Sequence, residues 1–191
     1  YNDRNSLGQY AYETVPFFNY DPDNGDVAPA GPRSAAYPTP PDPVQVAEEA
    51  CWAPHVAEGI DARARNEFLC MSGAVPGSRE VILSNTALIH GVGVRAPDVA
   101  RMAVSGASLV WSPRSNIDLY GNTAPVVLYD RLGVNIALGS DWSASGSMNL
   151  LRELACADRF DAGNLGRHFG ERRLLDMATA GAARAVGMAD D

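Results

Sequence analysis

His55, Glu58, His90 and Asp141 each follow a short apolar run with the texture of a strand, so all four could be delivered to one pocket. Imidazoles and carboxylates gathered at strand tips are the donors that hold a divalent cation, and a cation there lowers the pKa of water enough to make a nucleophile near neutral pH. Barrel enzymes assemble their sites in this way, from the carboxyl ends of several strands. Metal-assisted hydrolysis is the chemistry the pattern implies.

Each residue also has a plainer reading. Val134, Ile136 and Leu138 alternate with Asn135, Ala137, Gly139 and Asp141, which turns Asp141 away from the face that meets outer helices. Taken alone, it could equally be a turn or helix-capping aspartate. His90 ends Leu88-Ile89-His90, and Gly91 permits the sharp departure that leaves an imidazole at a tip, although a lone histidine is more often a hydrogen-bonded structural residue. His55 and Glu58 are three apart and would face opposite sides of an unbroken strand. They share a pocket only if the strand ends near Val56 and the chain turns through Ala57 to Gly59.

The elements that must carry these groups alternate along the chain. Strands are expected at Trp52–Val56, Thr86–His90, Ala107–Ser112 and Val134–Ser140, and helices at Ala62–Met71, Pro97–Ser105, Ala124–Leu132 and Met148–Phe160. Such alternation implies α/β units with a parallel sheet and right-handed crossovers, and four units make half of an eight-unit barrel. Asn122 or Thr123 can cap the third helix, with Pro125 in its first turn and Gly133 as its left-handed end. Ala178 to Val186 reads as a further small-residue helix. Residues 1–43 are rich in Pro, Gly, Asn, Asp and Tyr and are expected to form an irregular surface or wrapping segment, with the barrel domain over 44–191.

Bulk properties exclude several classes. A net charge of -8 and a pI near 4.8 argue against a nucleic-acid partner, and no run reaches the length of a membrane span. All 15 basic residues are arginines, which removes Schiff-base, P-loop and metal-bridging lysines from consideration. Cys51, Cys70 and Cys156 form neither a disulfide framework nor a CxxC knuckle, so a reducing cytoplasm is the expected compartment. The polar start is not a signal peptide, and without an initiating Met an internal fragment or processed product is expected.

Four motifs together resemble a known family. His55-Val56-Ala57-Glu58-Gly59, Leu88-Ile89-His90-Gly91, Trp111-Ser112-Pro113-Arg114-Ser115-Asn116 and Leu138-Gly139-Ser140-Asp141 occur in the order and approximate spacing of the amidohydrolase superfamily, in its deaminase and chlorohydrolase branch. The resemblance covers roughly residues 50 to 186. It implies a partial (β/α)8 TIM barrel, strands five to eight with their helices, acting on a small molecule at a non-peptide C–N bond of a cyclic amidine or aminated heterocycle. One divalent metal ion is implied, zinc before iron. His55 would be a ligand, and Asp141 both a ligand and the base that takes a proton from the attacking water. Glu58 would protonate the ring nitrogen or leaving group, while His90 would orient the water or join the ligands. Trp111, Ser115 and Asn116 would shape the pocket wall, the plainer alternative for the short polar pair being a turn.

The family's first strand ends in H-x-H, and this chain has no such motif. Half a barrel leaves open sheet edges, so a second copy or the missing half is expected to cover them. Two rival readings remain: a non-catalytic fragment that needs another chain, and a dinucleotide-binding module built on Gly91-Val92-Gly93-Val94-Arg95-Ala96, which matches a relaxed G-x-G-x-x-[GA] fingerprint.

Overall fold

The structure, a computed structural model, describes residues 10–12, 42–75 and 78–188. Most of the expected irregular segment, residues 1–43, lies outside the described residues. Its described part includes a short strand, β1 (Tyr10–Tyr12), paired in parallel with β2 (Cys51–Ala53).

Four further strands, β3 (His55–Val56), β4 (Ala87–His90), β5 (Ser108–Trp111) and β6 (Asn135–Leu138), form a parallel sheet in the order β3-β4-β5-β6. Helices α1 (Pro43–Ala47), α2 (Ala62–Met71), α3 (Ala96–Ser105), α4 (Pro113–Tyr120), α5 (Val126–Arg131), α6 (Leu150–Asn164), α7 (Glu171–Ala178) and α8 (Ala180–Ala185) complete the chain. Sequential parallel strands with intervening helices are the expected α/β arrangement. The single strand read over Trp52–Val56 is divided at Pro54, which has no N–H for the ladder. Both halves still lie along β4: the Trp52 N–H donates to the Asn85 carbonyl at 2.9 Å, and the Ile89 N–H to the Pro54 carbonyl at 2.9 Å.

Strand alternation sorts the core onto two faces. Val56, Leu88, Leu109, Ile136 and Leu138 meet Phe68, Val99, Met102 and Tyr129 of the helices in one large cluster. Fully burying side chains of this size contributes about 1.5–3 kcal/mol each. The opposite face carries small residues, Cys51, Ala53, Ala87 and Ala137, closed at one end by Ala182 and Ala185 from α8 and by Val186 at its C-cap. Asn135 fastens that helix by donating through Nδ2 to the Gly181 carbonyl at 2.9 Å.

Several elements differ from their expectation for local reasons. Pro113–Tyr120 is a helix where the sequence reads as a polar turn, because its inward side is Ser115 and Asn116 and so carries no apolar periodicity. Helix α5 begins at Val126 with Pro125 at its cap; Asn122 Oδ1 instead accepts the Thr123 N–H, and the Thr123 hydroxyl is engaged elsewhere. Gly133 is left-handed as expected, at φ 78°. Asn149 caps α6 by accepting the Arg152 N–H at 3.0 Å, so that helix starts at Leu150. The terminal helix reading over Ala178–Val186 resolves into the end of α7 and a separate α8.

Candidate metal and catalytic site

The ends of β3, β4 and β6 converge. His55 and Val56 make up β3, His90 is the last residue of β4, and Asp141 follows β6 by a short bend. The backbone is left-handed at Ala57 (φ 54°), His90 (φ 75°) and Asp141 (φ 57°), so the chain turns sharply where each tip must face inward. Hydrogen bonds lock these turns together. The Gly91 N–H donates to the Val56 carbonyl at 3.1 Å, and the Val92 and Gly93 N–H groups both donate to the Ala57 carbonyl, at 3.0 and 2.9 Å. Glu58 is thereby folded back beside His90, as the turn through Ala57 to Gly59 requires.

Donor atoms of His55, His90 and Asp141 lie within 4.8 Å of one another. The two imidazole rings stand 5.0 Å apart between centroids. Glu58 Oε1 lies 3.4 Å from His90 Nε2 and accepts the Tyr120 hydroxyl at 2.8 Å. A cleft of about 330 Å³ opens over this group, lined by His55, Glu58, Leu119, Asp141 and Trp142. Larger clefts of about 520 and 570 Å³ lie elsewhere, one against Ile82 and Arg101 and one against Val94 and Phe160, and neither is lined by a histidine.

Burial shapes the electrostatics. His90 is fully buried, and desolvation holds it below the usual histidine range; Glu58 and Asp141 pull it up, while His55 adds to the lowering. Burial thus favours the neutral imidazole. Behind the Ala57–Glu58 turn stands Glu67 of α2, whose Oε2 accepts the Ala57 N–H at 2.8 Å. Burial pushes the Glu67 carboxyl up to about 8, opposed by its backbone hydrogen bonds.

Trp111, Ser115 and Asn116 are all buried, and none lines the cleft. The Trp111 ring packs near Phe160 and Phe169, and the Ser115 hydroxyl donates to the Ser112 carbonyl at 3.4 Å. Asn116 reaches the site from behind, with Nδ2 2.9 Å from His90 Nδ1. The walls belong instead to Leu119 and Trp142, which sequence reasoning passed over along with Tyr120 and Glu67. Only Glu67 left a trace, as an acid on the stripe formed by Ala64, Phe68 and Met71.

The dinucleotide reading fails on the same hydrogen bonds. In that fingerprint the glycine-loop amides must be open to a pyrophosphate. Here those of Gly91, Val92 and Gly93 are consumed by the end of β3. A Cβ at Gly93 would fall 2.8 Å from the Gly59 carbonyl oxygen, so the glycine serves close packing of the two loops.

A parallel sheet whose strand tips present imidazoles and carboxylates to one cleft defines a partial (β/α)8 barrel with its site at the carboxyl ends of the strands. No family model matches the chain. It is 35% identical over 112 residues to a 5-methylthioadenosine/S-adenosylhomocysteine deaminase of Teredinibacter turnerae, covering 55% of this chain and 24% of the relative. Among solved structures, an adenosine deaminase from Xanthomonas campestris with bound zinc superposes with a TM-score of 0.61 at 22% identity, over 78% of this chain and 37% of that one. Atrazine chlorohydrolase from Arthrobacter aurescens, complexed with zinc, superposes at 0.60 and 21% identity, over 82% and 37%. The chain is thus similar in sequence to curated deaminases and shares its fold with these zinc-bound hydrolases. It spans about a quarter of the length of the curated relatives it matches.

Proposed function

We propose that this chain is the carboxyl-terminal half of a metal-dependent amidohydrolase that cleaves a non-peptide C–N bond in a small aminated heterocycle or cyclic amidine. The observation that carries the reading is the convergence of His55, His90 and Asp141 beside Glu58 at the mouth of one cleft. Imidazole and carboxylate donors suit zinc, and His55 and Asp141 would hold it. Bound there, the metal would supply a water of lowered pKa. Asp141, presented by its left-handed backbone, takes the proton released as water attacks. Glu58 has one carboxyl oxygen met by Tyr120 and faced by His90, which leaves the other to deliver a proton to the substrate's ring nitrogen or departing amine. Trp142 and Leu119 close the cleft against a flat ring. Activity would require the strands that pair with β6, whose outer edge has no strand partner among the described residues.

Zinc binding tests the reading directly. Metal analysis of the intact protein that carries this chain, after equilibrium dialysis, should find bound zinc, with binding weakened in His55→Ala and Asp141→Asn. A folded intact protein that retains no zinc would overturn it.

A further inference from the structure

The hydrogen bonds behind His90 run in one direction, and the group that starts them can only donate. Trp111 gives its indole N–H to Thr123 Oγ1 at 2.7 Å. Thr123, already holding a donor on its oxygen, directs its own proton to Asn116 Oδ1 at 3.2 Å. This orients the Asn116 amide, whose Nδ2 has only protons to offer and stands 2.9 Å from His90 Nδ1. Nδ1 must then accept, and the proton of the neutral ring belongs on Nε2. The far side of the ring is compatible with this: Nε2 makes no hydrogen bond, and the polar atom it lies near is an acceptor, Glu58 Oε1, at 3.4 Å. In the reversed arrangement Thr123 would accept from both neighbours. Its hydroxyl proton would then have no acceptor among the described hydrogen bonds, and a lone pair on His90 Nε2 would oppose the carboxylate oxygen.

We propose that Thr123 is a positioning residue: acting through Asn116, it holds His90 in the tautomer protonated on Nε2, so that His90 donates toward Glu58 and the cleft. The proposal deepens the reading of the site given above and rests on it. Its consequence is a division of labour among the converging donors. A metal needs an imidazole lone pair. On His90 one nitrogen is occupied by Asn116 and the other carries the proton, so His55 and Asp141 are the ligands this chain contributes. Thr123 and Trp111 do not touch the cleft, yet they settle which of two roles His90 takes.

The test uses the full chain, metal-free and labelled with nitrogen-15 at histidine. Long-range proton–nitrogen correlation spectra report the tautomer of each of the 3 imidazoles, with His90 assigned by the signal lost in His90→Gln. The expected spectrum has the His90 proton on Nε2. Thr123→Val keeps the volume and removes the hydroxyl, freeing the Asn116 amide. It should move the tautomer ratio toward Nδ1–H by roughly two- to tenfold, the worth of about one hydrogen bond. Thr123→Ser should restore the ratio. A Thr123 that merely packs would alter stability and leave the ratio unmoved, which would overturn the proposal, as would a His90 protonated on Nδ1 in the unsubstituted chain. If Thr123→Val does not fold, the unsubstituted spectrum alone decides. Because no metal is added, this result stands apart from zinc binding, whose failure would count against the proposed function instead.

Discussion

Glu67→Gln offers a quantitative test of how the turn carrying Glu58 is held. Glu67, partly buried, accepts backbone N–H groups of Ala57 and Glu58, and its carboxyl is raised from 4.5 to about 8. Desolvation is the largest cause, with the charges of Glu58 and Asp61 adding to it. Between those two values the folded chain holds this proton more tightly than the unfolded chain does. The unfolding free energy must therefore fall as pH rises through the window, by up to about 1.4 kcal/mol per unit. Over the full window, that comes to an order-of-magnitude difference of roughly 4 kcal/mol. Glutamine keeps the shape and an acceptor oxygen for Ala57 but cannot ionise. Below pH 5 the two chains should differ by about 1 kcal/mol or less. At pH 9 the Gln chain should be the more stable by at least about 2 kcal/mol. Urea unfolding followed by tryptophan fluorescence at pH 5, 7 and 9 measures this, and subtracting one chain from the other cancels the titrating groups that do not interact with Glu67. Parallel stability profiles would refute the reasoning, since they would mean Glu67 keeps the same proton affinity folded and unfolded.

Other perturbations address neighbouring parts of the argument. Gly91→Ala places a Cβ 2.5 Å from Tyr129 Oη and 2.9 Å from Leu109 Cδ1 at a backbone φ of 56°; a loss of about 2–4 kcal/mol is expected in thermal or urea unfolding, and less than about 1 kcal/mol would contradict it. Asp98→Asn removes the carboxylate that accepts Arg65 Nε at 2.7 Å and the Arg95 N–H at 2.8 Å, for an expected cost of about 1–3 kcal/mol by denaturant titration. If the proposed function holds, Glu58→Gln and Asp141→Asn in the intact protein should each lower kcat by about a hundredfold or more, and metal analysis should show zinc kept in the first and weakened in the second.

The strands were legible because β-rich apolar runs ending in His90 or Asp141 state both element and polarity, and α2 falls on its expected range, Ala62–Met71. Parallel strands then force the tips together, so the company of His55, Glu58, His90 and Asp141 could be read without coordinates. What stayed hidden had no local signature. Helix α4 buries Ser115 and Asn116 through hydrogen bonds rather than apolar contact, so hydrophobic periodicity could not reveal it. Tyr120, Thr123 and Trp142 matter through partners far along the chain: the Tyr120 hydroxyl meets Glu58 across 62 positions. The glycines at 91 and 93 resembled a phosphate loop because both uses require close backbone approach; only the destination of the N–H groups tells them apart.

Strain at the tips ties these observations together. A left-handed backbone disfavours non-glycine residues by about 1–2 kcal/mol, and both His90 and Asp141 adopt it. The Gly91 N–H on the Val56 carbonyl fixes the first turn, and the Ser147 N–H on the Ser140 carbonyl fixes the second, at 3.0 Å. The donors therefore converge because the backbone is bent into place by main-chain bonds between neighbouring strand ends. Under the proposed function, a metal would meet an Asp141 whose ordering cost was met on folding. It also explains why the hydrogen-bond chain from Trp111 can decide the role of His90: with the backbone pinned, the imidazole's remaining freedom is its proton.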